Sequence, residues 1–453
     1  MSKRIVVVGG GPGGYSAALS AARLGAEVVL AESAKIGGTC LNVGCVPTKS
    51  LLHIAGFYRS AMLGSVPGVR ITGAELDWQA ALSSKDATVA RLTGAVSVML
   101  RRSGVNVLNE TASLLPNNKV RVGAETISAD AVILATGSVS AALSFPGADL
   151  PGVIGSTEAL SLDRVPKSMV IIGGGVIGVE FASLFASLGS EITIIELAGR
   201  LLPAMDAEVS EYMQESLEAD GIAVNPNARI LSAKSAEGQL DVSFIKDDKE
   251  LSVSADALLV AAGRKPNTEG LDLKRIGVEM NGDAIETDGY FMTNIPGIYA
   301  VGDCNGKAML AHAAMAQGET AAERAMGVEA GINHRTVPSC VYSLPEVSSV
   351  GLTEEQVRSI GMDYNVGRFS LSGNARAAIE GGGGFIKILS DKKYGEILGA
   401  HIVGPYATEL IAEAALCLNM EGTVDDIANT IHAHPTVGES FRDAVMGIQP
   451  GSI

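Results

Sequence analysis

Five cysteines are spread over 453 residues, and only Cys40 and Cys45 lie close together. They sit in the run Gly37-Gly38-Thr39-Cys40-Leu41-Asn42-Val43-Gly44-Cys45-Val46-Pro47-Thr48-Lys49. Two thiols at this separation can be a pair of small buried apolar side chains, or the two ends of a disulfide that opens and closes. On an ideal α-helix, residues five apart have Cα atoms roughly 8–9 Å apart. A disulfide needs about 6.8 Å or less. A bonded pair therefore predicts a distorted helix or loop, with Asn42 and Gly44 as the residues able to relax it. Pro47 suits a restarted first turn better than a helix interior. Strained disulfides are more reducible than structural ones, so the pair is a candidate for electron transfer. Few cysteines, odd in number, do not suit a secreted disulfide framework.

The segment before the pair recurs later in the chain. Residues 4–32 read RIVVVGGGPGGYSAALSAARLGAEVVLAE, and residues 168–196 read SMVIIGGGVIGVEFASLFASLGSEITIIE. Each opens on a Val/Ile run, the mark of a parallel strand buried on both faces. Each continues with G-x-G-x-x-G, at Gly9, Gly11 and Gly14 and at Gly173, Gly175 and Gly178. A helix of small residues follows, closed at Gly25 or Gly189, where a left-handed cap is expected. A second β-rich run then ends on an acid, Glu32 or Glu196, 23 residues after the first glycine in both copies.

The first glycine allows the tight turn, the second lets backbone approach a pyrophosphate, and the third lets helix pack on strand. The helix N-terminus adds N–H donors and a positive dipole end, and the acid accepts from ribose hydroxyls. One such motif is a weak signal. Two in register imply two adenine dinucleotides. Glu196 favours the free 2′-hydroxyl of NAD over the 2′-phosphate of NADP, although Arg200, four residues on, leaves room for some NADP tolerance. The runs Ala131–Gly137 and Ala257–Arg264 are expected to close the first and second units. Ile298–Asp303 resembles a further strand, where the first domain resumes.

A formal charge of −16 argues against a basic nucleic-acid footprint or attachment to an anionic membrane. After Met1-Ser2-Lys3-Arg4 the apolar run Ile5–Val8 is too short for a signal peptide. The least charged stretch, 131–148, is broken by glycines and a proline, a poor spanning helix. The expectation is a cytoplasmic protein of two to four domains.

Beyond the fingerprints, the chain carries ILATG (133–137), AAGRKPNT (261–268), YAVGDC (299–304), PEVSSVGLTEEQ (345–356), GAHIVGPYATELI (399–411) and HAHPTVGES (432–440). With the cysteine motif, these resemble the pyridine nucleotide–disulfide oxidoreductase family over essentially the whole chain, and within it the branch that oxidises dihydrolipoamide. The resemblance implies an α/β fold of two Rossmann-like domains, for FAD and NAD, plus a C-terminal α+β dimerisation domain. It divides the chain into 1–145 (FAD), 146–264 (NAD), 265–330 (FAD, resumed) and 331–453 (interface). FAD is expected at Gly9, Gly11, Gly14, Glu32, Gly38, Thr39, Lys49, Ala112, Gly137, Asp303 and Ala311. NAD is expected at Gly173, Gly175, Gly178, Glu180, Glu196 and Gly263.

The same resemblance makes Cys40 the outer cysteine and Cys45 the one beside the flavin. It makes His434 the base that reaches the cysteines of the second subunit of a homodimer, with Glu439 orienting it. His432 is read as structural. Lys49 is expected near the flavin, paired with Glu180. A His–carboxylate pair is what deprotonating a dithiol requires, since the thiolate is the nucleophile. The activity implied is dihydrolipoamide oxidation with NAD as acceptor, for a 2-oxo acid dehydrogenase or glycine cleavage complex onto which the protein would dock. Two other readings stay open: an NAD(P)H-dependent reductase of another small disulfide, and a non-catalytic redox-sensing flavoprotein. Cys304 stands where a small apolar residue is usual and is read as a buried one. Ala313–Gln317 lacks the charges many relatives carry, leaving helix packing open there.

Overall fold

The computed structural model describes residues 2–64 and 68–448, so Met1 of the N-terminal stretch read above lies outside it. Both Val/Ile runs form central parallel strands. Arg4–Val8 lies between Glu27–Ala31 and Ala131–Leu134, and Ser168–Ile172 lies between Glu191–Ile195 and Ala257–Val260. Ile5, Val6, Val7, Val170 and Ile171 are fully buried. Burial on both faces is what selects unbroken β-branched runs over alternation. Strand Ile298–Ala300 pairs in parallel with Val132–Leu134 and adds an edge to the first sheet.

The helices that follow the fingerprints, Pro12–Arg23 and Val176–Ser187, end next to Gly25 (φ 87°) and Gly189 (φ 95°). The first packs on helix Ala311–Met326 so tightly that a Cβ on Gly318 would lie 2.2 Å from the Gly13 carbonyl oxygen. Ala313–Gln317 thus needs no charge to seat this helix, because small residues let two backbones touch. The second helix buries Phe181, Leu184 and Phe185 against Leu51, Leu52 and Ala55 of helix Cys45–Leu63. Truncating either phenylalanine to alanine would cost about 3–5 kcal/mol.

Residues 337–448 build a five-stranded antiparallel sheet ordered Ser339–Val341, Val347–Gly351, Ile397–Val403, Phe385–Asp391, Tyr364–Ser370. Helices Ala407–Asn419 and Ser440–Met446 pack on it. A buried ion cluster joins this sheet to the second dinucleotide unit. Lys387, only 1% exposed, meets Asp206 at 2.9 Å, Glu208 at 2.9 Å and Glu354 at 2.6 Å. Among the described residues no helix is long and apolar enough to cross a membrane.

Candidate active site

The cysteine segment is helical on both sides of one break. Helix Gly38–Val43 stops at Gly44 (φ −140°, ψ −112°), and helix Cys45–Leu63 begins immediately after it. A Cβ on residue 44 would lie 2.9 Å from the Thr39 carbonyl oxygen, so a larger residue would push the two cysteines apart. The distortion falls on Gly44 alone. Asn42 does not relax the helix; its amide ties it down by donating to the carbonyls of Ile36 (3.1 Å) and Gly38 (2.9 Å). Pro47 falls in the first turn of the restarted helix.

The thiols of Cys40 and Cys45 are unbonded and share a hydrogen bond. That bond pulls the Cys45 pKa down, with Lys49 adding to it against the opposing effect of burial. The same bond, then burial and the charge on Cys45, push Cys40 up. Of the two thiols, Cys45 is thus the one shifted toward the thiolate.

Lys49, one turn beyond Cys45, donates to both carboxylate oxygens of Glu180 at 2.8 and 2.7 Å. Glu180 belongs to the fingerprint helix of the second unit and is 3% exposed. It also accepts the Tyr342 backbone N–H at 3.0 Å, and the Tyr342 ring lies 4.7 Å from the Lys49 ammonium. Three segments far apart in sequence thus meet at one carboxylate.

A cavity of about 1770 Å³ runs from the first unit to the second, more than the roughly 300–1,000 Å³ of a single small-molecule site. It is lined by Gly9, Gly11, Glu32, Gly38, Thr39, Cys40, Cys45, Lys49, Ala112, Gly137, Asp303 and Ala311 in one arm. Gly173, Gly175, Glu180, Glu196 and Gly263 line the other. Gly14 and Gly178 do not touch it. They lie beneath, where a Cβ would come within 1.8 Å of the Gly9 carbonyl and 1.9 Å of the Gly173 carbonyl.

The residues present suit two dinucleotides. Both fingerprint helices start at a glycine, Gly11 or Gly175, without a side-chain cap. Among the described residues no side chain caps the first-turn N–H groups, which leaves them for a phosphate. Glu32 accepts from Gly10 N (2.6 Å) and Ala34 N (2.7 Å). Glu196 repeats this with Gly174 N and with Ala198 N (2.6 Å). Each acid is held by two backbone donors and keeps spare lone pairs for a ribose.

His434 and Glu439 do not line this cavity. They form their own pair, Nδ1 to Oε2 at 2.9 Å, with the His434 side chain 72% exposed. That bond, with the Thr436 N–H, holds the Glu439 carboxyl below the usual range. His434 Nε2 has no partner among the described residues. His432 differs: its Nε2 meets Glu413 at 2.7 Å and its Nδ1 meets the Thr430 carbonyl at 3.1 Å. Cys304 is fully buried, with its sulfur near the carbonyls of Val301 and Leu134.

Sequence reasoning missed one network. Arg264 donates to Ser138 Oγ and O, both at 2.7 Å, and Ser138 Oγ donates to Asp303 Oδ2 at 2.5 Å. It ties the antiparallel pair Ser138–Ser140 and Arg264–Pro266, where the chain passes between units, to the acid in the first arm. The Gly-Arg step in AAGRKPNT was its one sequence signal.

The model of the pyridine nucleotide-disulphide oxidoreductase family matches residues 3–318, and that of its dimerisation domain matches residues 337–445. A dihydrolipoyl dehydrogenase of Bacillus subtilis is 41% identical over 98% of this chain and 98% of that protein. A leghemoglobin reductase of Vigna unguiculata is 38% identical over 98% of this chain and 87% of that one. Among solved structures, LpdA of Mycobacterium tuberculosis superposes with a TM-score of 0.90 at 28% identity, covering 98% of this chain and 99% of that one. The HOCl-induced flavoprotein disulfide reductase RclA of Escherichia coli gives 0.87 at 29% identity, covering 98% and 100%. Two uncapped cradles are what a chain using two dinucleotides, FAD and NAD, needs. Matched from its first strand to its last helix, the chain belongs to the pyridine nucleotide-disulphide oxidoreductase family.

Proposed function

We propose that this enzyme oxidises dihydrolipoamide to lipoamide and reduces NAD, working as a homodimer. The observation that carries the reading is the cysteine pair, broken at Gly44, opening onto a cavity between two dinucleotide cradles. Likeness over nearly the full length to dihydrolipoyl dehydrogenases supports the choice of dithiol. The dimerisation-domain match supports the homodimer.

In the proposed cycle the partner subunit's His434, steadied by its carboxylate, takes a proton from one thiol of the substrate. The resulting thiolate attacks Cys40 Sγ, the Cys40–Cys45 bond breaks, and Cys45 leaves as thiolate. The partner's His434 returns the first proton to the departing Cys40 sulfur and takes the second from the other substrate thiol, whose thiolate attacks the substrate sulfur joined to Cys40. Lipoamide departs with its ring disulfide formed, and Cys40 is left reduced. Two electrons have then moved from substrate to protein.

Gly9, Gly11, Gly38 and Thr39 would hold FAD along the first cradle, where it would supply two-electron transfer between the cysteine pair and NAD. Lys49 would stabilise negative charge on the reduced ring while Glu180 keeps its ammonium in place. Glu32 and Glu196 would hold the two riboses, and Asp303 the ribitol chain. Lipoyl groups carried by a 2-oxo acid dehydrogenase complex are the expected physiological form of the dithiol.

Anaerobic mixing with dihydrolipoamide should bleach the flavin band, and NAD should then yield NADH. No bleaching with dihydrolipoamide would sink the substrate assignment. The likeness to RclA favours a second reading, an NADH-driven reductase of another small disulfide. A panel of disulfides assayed with NADH separates the two, because lipoamide should be turned over fastest in both directions.

A further inference from the structure

The loop after Glu196 carries a cation that the structure withholds from the cavity. Glu196 follows strand Glu191–Ile195, and Arg200 lies four residues on. The loop folds back beneath the fingerprint, with Leu202 N donating to the Gly174 carbonyl at 2.8 Å. The cavity touches it at Glu196, Leu197 and Pro203, and not at Arg200. The Arg200 guanidinium turns instead to the C-terminal domain, where Nη1 pairs with Glu355 Oε1. Its Nη2 donates to the carbonyls of Pro203 (3.3 Å) and Met205 (3.2 Å).

The holder is itself held. Glu355 lies in the first turn of helix Glu354–Ser359, which the Thr353 side chain caps. The adjacent Glu354 meets Lys387 at 2.6 Å, and its N–H donates to Asp206 at 2.9 Å. Glu355 therefore cannot follow Arg200 if the arginine turns toward the ribose. The other cation at this end is Arg229, exposed at the start of strand Ala228–Ala236, lining the cavity and free of any carboxylate partner among the described residues. Glu196 and Arg229 thus both line this end of the cavity, and Arg200 does not. A second guanidinium would tip that balance toward a 2′-phosphate, which arginine recognises in such sites.

We propose that Glu355 is a specificity-determining residue for the nicotinamide dinucleotide. By holding Arg200 against the C-terminal domain, it keeps a guanidinium from the ribose and so selects against a 2′-phosphate. The inference rests on the reading of Glu196 as the ribose contact of the second cradle.

The test uses the holoenzyme in an E196Q background, which removes direct repulsion. Two readouts are taken: the ratio of kcat/KM for NADP to that for NAD, and calorimetric binding of 2′,5′-ADP against 5′-AMP. E196Q/E355Q should raise the ratio about fivefold over E196Q, the size of one exposed ion pair, and tighten 2′,5′-ADP but not 5′-AMP. Adding R200A should erase both gains, and E196Q/E355D should stay at the E196Q ratio. E196Q/R200A, which leaves the helix around Glu355 intact, should also match E196Q. A gain that survives R200A, or a ratio unmoved by E355Q, overturns the proposal. So does a fall in E196Q/R200A, since Arg200 would then already reach the phosphate. If E196Q alone leaves the KM for NAD unchanged, the ribose reading fails first and the inference with it.

Discussion

Two side chains, each held by a carboxylate at nearly equal distance, sit in opposite surroundings. Lys49 and Glu180 meet at 2.7 Å where the carboxylate side chain is 4% exposed, bridging the first and second units. His434 and Glu439 meet at 2.9 Å where the imidazole is 72% exposed, with no cradle around it. In the first pair the carboxylate also accepts a backbone N–H, and its cation is covered by a tyrosine ring. In the second the outer nitrogen has no partner among the described residues. A satisfied, enclosed pair fixes shape. An exposed histidine steadied on one side only leaves its outer nitrogen open to solvent.

The comparison breaks most visibly at the thiols. Cys45→Ser should abolish dihydrolipoamide oxidation while leaving direct oxidation of NADH by an artificial acceptor measurable. Normal lipoamide turnover in that variant would remove the disulfide from the mechanism. Next in size, His434→Gln should lower kcat with dihydrolipoamide by about 10²–10⁴-fold, the usual contribution of a positioned base, with thermal stability unchanged. A loss of stability without a loss of turnover would make His434 structural.

Lys49→Ala should act in the opposite way on the fold. It strips the partner from a buried carboxylate and should cost about 1–3 kcal/mol in denaturant unfolding. Glu439→Gln, at an exposed pair, should move stability by no more than about 0.5 kcal/mol while still slowing turnover. Equal stability losses from the two variants would erase the contrast.

The smallest expected effect concerns where the thiolate resides. Cys45 is held below an ordinary thiol first by its bond from Cys40. Cys40→Ala removes that donor and should raise the pH at which Cys45 becomes alkylated by iodoacetamide. A profile unmoved, or shifted to lower pH, would place the thiolate elsewhere.

Much of this site could be read locally. The fingerprints bring strand, turn, helix and acid within 23 residues, and a periodicity that short is visible in a string of letters. The break between the cysteines follows from helix geometry once the two are taken as a bonding pair, although geometry offered two residues for it and only Gly44 yields. Asn42 was misjudged because its capping partners, Ile36 and Gly38, lie outside the interval between the cysteines. The Arg264–Ser138–Asp303 network and the Lys387 cluster left no local pattern. Ser138 reaches Arg264 and Asp303, and Lys387 reaches Asp206, across more than a hundred positions each, and neither arginine, serine nor lysine announces burial. Arg200 shows the same limit. Four residues from Glu196 it reads as a ribose neighbour, and only the fold reveals that Glu355 has turned it away.

The central claim is that the exposed pair of one subunit completes the cysteine site of the other. Complementation tests it most directly. Cys45→Ser and His434→Gln chains, each inactive as a homodimer, are unfolded together in equal amounts and refolded with FAD. If the site spans two chains, half the dimers are mixed, and each mixed dimer holds one intact site of two. About a quarter of wild-type dihydrolipoamide activity should return, as expected for a two-fold symmetric assembly. If both halves act within one chain, no site is whole in any dimer and no activity returns.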